Sequence, residues 1–143
     1  MTGNSKEIVH TYSTAGSFLV VLTAVDDDNI TDTATTEIRV LDKPLAPQNV
    51  TVERLANKTL LFTDYINKIS WDENPGNSGL FTLSQYRIYR KAQDDSQFVF
   101  IGEVSAGEFS YEDRKFNDAQ EAVGYVYAVT VVDNQGNESD YIN

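Results

Sequence analysis

The segment Gly124–Asn137, GYVYAVTVVDNQGN, constrains the fold of this chain more than any other. Tyr125, Tyr127, Val129 and Val131 recur at the two-residue period of a β-strand and so share one face. Aromatic and β-branched residues suit a half-buried pleated surface, which makes this the best core strand of the sequence. A shorter version of the pattern occupies His10–Asn29, HTYSTAGSFLVVLTAVDDDN.

The pattern extends along the chain as short strands separated by turns. Glu7–Tyr12 reads as a short strand, followed by a turn at Ser13–Gly16. Phe18, Val20, Leu22 and Ala24 then alternate with Leu19, Val21, Thr23 and Val25, so this strand carries two apolar faces and calls for cover on both. Asp26-Asp27-Asp28-Asn29 is turn chemistry, and Thr33–Leu41 returns with Ile38 and Val40 on its apolar face. Lys43–Pro47, with two prolines that fix φ and remove amide donors, reads as a semi-rigid linker.

Beyond it the pattern restarts. Strands are predicted around Val50 and Val52, at Ile66–Trp71, Leu83–Lys91, Phe98–Val104, Phe109–Asp113, the Tyr125 segment, and Ser139–Ile142. Asp72–Phe81 is a long loop rich in turn residues, and Lys115–Glu121 a loop holding a helical turn. Leu60, Leu61 and Phe62 are apolar and are expected to be buried, as an extension of a strand. Seven short strands with turns between them predict an antiparallel two-sheet sandwich. The expected division is therefore residues 1–42, a linker at 43–47, and a sandwich over 48–143.

Composition bounds the partners. Apolar residues make up 41% of the chain, enough for a packed core. There is no cysteine, so neither a disulfide nor a thiolate metal site can form. Residues 1–42 hold two basic against seven acidic side chains, and the remainder nine against fifteen, for a net charge of −11. Acidity spread over both parts repels phosphate backbones, which disfavours nucleic acid and anionic membranes as partners. No apolar run approaches the roughly 20 residues of a membrane span.

Two resemblances follow from these residues. His10-Thr-Tyr12, Gly16-Ser-Phe18, the alternating strand and Val25-Asp26 resemble the carboxy-terminal half of a PKD domain, over residues 6–42. That family is an immunoglobulin-like sandwich of surface proteins and secreted hydrolases, and its upstream strands have no counterpart here. Pro47, Trp71, Tyr86-Arg-Ile88-Tyr89-Arg90, Ser110-Tyr111-Glu-Asp113 and Tyr125–Asp133 with Asn134–Ser139 resemble a fibronectin type III domain, over residues 46–143. This second resemblance makes Trp71 the core tryptophan and Tyr125 the tyrosine that pins the corner before its strand. Trp71, Tyr86, Ile88, Tyr125, Tyr127, Val129 and Val131 are the expected structural core. The stretch Leu55–Asp64 is longer than usual for that family.

Candidate chemistry is sparse. His10 is the sole histidine, so no histidine pair can hold a metal, and a structural role in its sheet outweighs general-base work. Asp26, Asp27 and Asp28 are the calcium candidates, since calcium takes about six to eight oxygens. Their spacing lacks the glycine and closing glutamate of the helical calcium loop, so a solvated hairpin turn competes with a shared loop site. Asp94-Asp95, Asp72-Glu73 and Glu112-Asp113 sit in turns or at strand ends, where solvation gives neither carboxyl a reason to hold a proton. Phe81, Tyr89, Phe116 and Tyr141 fall outside the expected core and could form a carbohydrate platform or stand singly at loops. Asn29, Asn49, Asn57 and Asn137 begin glycosylation acceptor triplets, which matter only in a eukaryotic secretory host.

The function expected from this reading is a non-catalytic spacer or adhesion-type module, a piece of a larger extracellular or cell-surface protein, bacterial by resemblance. The alternative is an accessory carbohydrate- or protein-binding module of a secreted hydrolase, contacting its ligand through Asp72–Phe81 and Lys115–Glu121. No cofactor is expected. The expected partners are other domains of the parent protein, a protein or polysaccharide ligand, and, for residues 6–42, a second copy or the neighbouring domain.

Overall fold

A computed structural model describes residues 7–141. The chain divides into two compact units, Met1–Asp42 and Lys43–Asn143.

The first unit is a hairpin. β1 (Gly16–Val25) and β2 (Thr31–Val40) pair antiparallel from Gly16 opposite Val40 to Val25 opposite Thr31. Residues directly opposite share a face, so Phe18 with Ile38 and Leu22 with Ala34 make one face apolar. The other face sets Leu19 against Glu37 and Val21 against Thr35. Asp26 closes the turn: its Oδ1 accepts from the amides of Asp28 (3.0 Å) and Ile30 (2.8 Å), while Asn29 takes a φ of 60°. Among the described residues β1 and β2 pair with each other alone.

Glu7–Tyr12 corrects the expectation of a strand, for it is irregular. Side-chain stacking takes the place of pairing there: Tyr12 lies 4.4 Å from Phe18 and His10 stands edge-on to Tyr12 at 4.7 Å, between ring centroids.

The second unit is a sandwich of two three-stranded antiparallel sheets. One sheet has the order β3 (Gln48–Lys58), β4 (Thr63–Asp72), β7 (Ser110–Phe116). The other has the order β6 (Val99–Ser105), β5 (Leu83–Ala92), β8 (Tyr125–Asp133). A short helix, α1 (Ala119–Val123), joins β7 to β8; Asp118 caps it by accepting from the Glu121 amide at 2.8 Å. Ile69 and Trp71 from the first sheet meet Tyr86, Ile88, Tyr127, Val129 and Val131 from the second. Trp71 and Tyr86 touch across the gap with ring centroids 5.3 Å apart. Tyr125, at the start of β8, is half-buried beside this cluster.

Three features differ from the sequence expectation. Leu60, Leu61 and Phe62 are exposed, Leu60 completely. β3 and β4 continue outward as a hairpin, and Thr59 caps its tip, exchanging bonds with Phe62, so these side chains point away from the core. The expected strand Ser139–Ile142 is not formed at Ser139–Tyr141, Ile142 lying outside the described residues, and the pairing reduces to one bridge between Val132 and Glu138. The Ser139 hydroxyl takes a ladder carbonyl's place by accepting from the Val131 amide at 3.0 Å. Lys43–Pro47 is docked on the sandwich rather than free. Pro44 and Pro47 are buried, and the buried Asn77 amide grips Leu45 at both ends, accepting from its N–H (2.7 Å) and donating to its carbonyl (2.9 Å). At neighbouring Gly76 a Cβ would come within 2.7 Å of the Leu45 side-chain tip, which would have to shift to admit it.

A polar network ties the two sheets at one end of the core. Asn67 on β4 donates to the Tyr127 hydroxyl of β8 (2.9 Å) and to the Ala122 carbonyl of α1 (2.7 Å). The Tyr127 hydroxyl donates to Asp113 of β7 (3.0 Å), which also binds Arg90 of β5 (2.7 Å). Arg90 in turn lies 4.4 Å over the Tyr125 ring. Asp113 is thereby buried, correcting the expectation that Glu112-Asp113 is solvated; its side chain faces between the sheets. Burial pushes the Tyr127 phenol well above its usual range, with Asp113 adding to the rise against the Asn67 bond. A further tie is the Tyr111 hydroxyl, which donates to the Ile101 carbonyl of β6 at 3.1 Å. That approach requires Gly102, because a Cβ there would meet the Tyr111 ring at 2.7 Å.

Candidate ligand-binding face

The inner face of the β6–β5–β8 sheet is filled by the core; its outer face carries the unused chemistry. On β5 the alternation that buries Tyr86 and Ile88 turns Gln85, Arg87, Tyr89 and Lys91 outward. Arg87 lies opposite Glu103 of β6 and Thr130 of β8. A β-bulge between Ile88 and Tyr89 then shifts the register, so that Tyr89 faces Phe100 instead of Ile101. Ile101 packs against the core, and Phe100 stands on the outer face, 49% exposed.

The segment after β8 folds over this face. Glu138 accepts from the Thr130 and Tyr89 hydroxyls, each at 2.6 Å, and from Arg87 Nη1 at 2.7 Å. Burial alone would raise the Glu138 carboxyl, but the bonds from Thr130, Tyr89 and Arg87, with the Arg87 charge, outweigh it and hold the group below its usual range. Tyr89 is pushed up to about 12, by burial first and then by the Glu138 carboxylate. Tyr141 stands edge-on to Tyr89 at 5.0 Å and stacks on Phe98 at 5.5 Å, while Lys91 Nζ covers the Phe98 ring at 5.2 Å. Tyr89 and Phe100 meet nearly at right angles, 5.8 Å apart. Beside them a groove of about 360 Å³ is lined by Arg87, Tyr89, Phe100 and Glu103.

Of the four aromatics expected outside the core, the structure brings Tyr89 and Tyr141 together. Phe116 is buried against Tyr125, and Phe81 is half-buried in its loop. Phe98 and Phe100, which were not among the expected aromatics, complete the group. Their signal was the Phe-Val-Phe alternation, hidden because the bulge reverses which residues face outward.

The loops first considered as contact surfaces are occupied structurally. Asn74 and Asn77 hold the proline segment, and Glu121 accepts from the amide and side chain of Asn117, both at 2.9 Å. Asp26, the first calcium candidate, uses Oδ1 to close its turn, with Asp27 and Asp28 exposed beside it. Among the described residues no group of three or more His, Asp or Glu side chains is placed to hold a metal ion, and no helix is long and apolar enough to cross a membrane.

The chain is similar in fold to domains A168–A170 from titin, with a TM-score of 0.52 at 20% sequence identity, over 89% of this chain and 38% of that one. The fold of residues 43–143 is an immunoglobulin-like antiparallel β-sandwich. This chain thus spans well under half the length of that titin fragment. A looser likeness links it to titin kinase and its flanking domains, with a TM-score of 0.47 at 19% identity over 71% of this chain and 16% of that one. No protein-family model matches the chain, and no curated protein matches it.

Proposed function

We propose that this chain is a non-catalytic spacer or adhesion-type module, working beside other domains of a larger extracellular or cell-surface protein of bacterial origin. The observation that carries the reading is the cross-tying of the two sheets by Asn67, Tyr127, Asp113 and Arg90. A buried network with good geometry resists sliding of one sheet over the other, which is the demand on a domain that holds its neighbours apart. The clamped proline segment serves the same end, since tension entering at Lys43 meets a docked strand start and not a slack tether.

The test is single-molecule stretching of a polyprotein that contains the chain. Residues 43–143 should unfold in one cooperative event at a distinct force, lowered by Asn67→Ala. Extension without a resolvable force event would overturn the reading.

Residues 6–42 are the end of a PKD-like sandwich in this proposal, and they complete themselves against a second copy or a neighbouring domain. That β1 and β2 pair only with each other among the described residues, and that Leu22 and Ile38 are exposed, supports this. Light scattering over a range of concentrations tests the second-copy form: mass should double as concentration rises, and a constant monomer mass excludes it.

A second reading, an accessory carbohydrate- or protein-binding module of a secreted hydrolase, is favoured by one observation, the gathering of Tyr89, Phe98, Phe100 and Tyr141 on the outer sheet face.

A further inference from the structure

We propose that the groove bounded by Arg87, Tyr89, Phe100 and Glu103 is a stacking subsite for a neutral polysaccharide. One sugar ring would lie on the aromatic corner, with its hydroxyls on Glu103, Gln85 and Arg87. The proposal rests on the binding reading and is independent of the spacer role.

A pyranose ring presents an apolar C–H face and a rim of hydroxyls, so it needs an aromatic surface with polar groups at its edge. Tyr89 and Phe100 supply the surface as a corner, and the paired register sets Arg87 and Glu103 two residue pairs further along the same strands, beyond the Ile88–Gly102 pair. The rings are not overflow from the core, whose inner face is filled by Tyr86, Ile88 and Val129. They sit on the opposite side of the sheet, where Phe100 and Tyr141 are each about half exposed. The platform is also preorganised. The bond from Tyr89 to Glu138 and the edge contacts to Phe100 and Tyr141 hold the ring, so little ordering entropy remains to be lost on binding.

The rim has capacity to spare. Glu103 engages Gln85 (2.8 Å) and approaches Arg87 (3.7 Å) through Oε2, which leaves Oε1 to accept from a hydroxyl. Charge selects among glycans. Glu103 lines the groove, Glu138 pairs with its Arg87, and the chain's net charge is −11, so uronate or sulfate polymers are repelled and uncharged chains are not. The groove, about 360 Å³, lies near the lower end of the roughly 300–1,000 Å³ of small-molecule sites, the scale of a short stretch of sugar rings.

Affinity electrophoresis of the whole chain in gels containing laminarin, galactomannan, xylan or soluble starch tests this, with polygalacturonate as the anionic comparison. At least one neutral gel should retard the chain. Phe100→Ala should weaken that retardation about tenfold, and Glu103→Gln should weaken it less while leaving the fold untouched. Amide NMR shifts on adding the retarding polysaccharide should cluster at Tyr89, Phe100 and Glu103. Any of four results would overturn the proposal: no retardation in any neutral gel, retardation in polygalacturonate alone, retardation indifferent to both substitutions, or shifts at these residues that follow protein concentration without sugar. The last would assign the face to contact with a second copy. Phe100→Ala should leave the stretching force unchanged, so the two functional readings fail separately.

Discussion

Tyr86 and Tyr127 are both buried tyrosines of the core, but their hydroxyls have opposite circumstances. Tyr127 accepts from Asn67 and donates to Asp113, whereas the Tyr86 hydroxyl is buried with no hydrogen-bond partner among the described residues. Removing a satisfied hydroxyl strands its partners, and removing an unsatisfied one relieves a desolvation cost. Tyr127→Phe should therefore destabilise the sandwich by about 1–3 kcal/mol, while Tyr86→Phe should be neutral or stabilising by up to about 1 kcal/mol. Chemical denaturation of the two variants at neutral pH measures both. Burial, with a smaller push from the Glu73 carboxylate, raises the Tyr86 phenol to about 12. Its folded pKa thus exceeds the unfolded value of about 10, so its share of stability is intact below pH ~10 and is lost as pH climbs from there through about 12. Tyr86→Phe should flatten that alkaline loss, as read from melting temperature against pH.

At the scale of elements, the bulge in β5–β6 and the clamp on the proline segment each turn a short sequence into a positioned surface. Asn77 is fully buried in a loop that looked like solvated turn residues, and its amide replaces the sheet partners that Leu45 lacks. Asn77→Ala should cost about 1–3 kcal/mol by leaving the Leu45 amide and carbonyl unpaired. It should also raise the hydrogen-exchange rate of the Leu45 amide, whereas exchange in β8 should not change. The exposed hairpin tip predicts the reverse. Leu60→Ser and Leu61→Ser remove nothing from the core and should shift stability by no more than about 0.5 kcal/mol, checked by the same denaturation curves.

For the molecule as a whole, stability rests on the interface between the sheets and on carboxylates that the fold keeps charged. Trp71→Ala, which empties the centre of that interface, should cost about 3–5 kcal/mol and broaden or abolish the cooperative transition seen by near-UV circular dichroism. The carboxyl of Glu138 is held below its usual range in the folded state. A depressed folded pKa contributes stability that is present above the unfolded value of about 4.3 and is lost as pH falls through the folded value. Glu138→Gln should remove that part of the acid dependence and leave the curve flatter below pH ~4, measured by melting temperature against pH.

Periodicity alone made the strands of the second unit legible, because alternation along Tyr125–Asp133 and Leu83–Ala92 is a local property that the pleat turns directly into an inside and an outside. Lys43–Pro47 and Asp72–Phe81 were legible as breaks between strands, since proline and turn residues act on the backbone where they stand. The tertiary structure decided what local pattern cannot carry. It chose where Leu60–Phe62 points, because a hairpin that outruns its sheet has no facing layer to bury them. It exchanged Ile101 for Phe100 on the outer face, because a single bulged residue inverts alternation without changing composition. It reduced the last strand to one bridge, where a serine hydroxyl stands in for a backbone carbonyl opposite Val131. Residues distant in sequence, Tyr89 with Tyr141 and Asn67 with Tyr127, became neighbours through register and sheet packing, and the candidate site lies among such pairs.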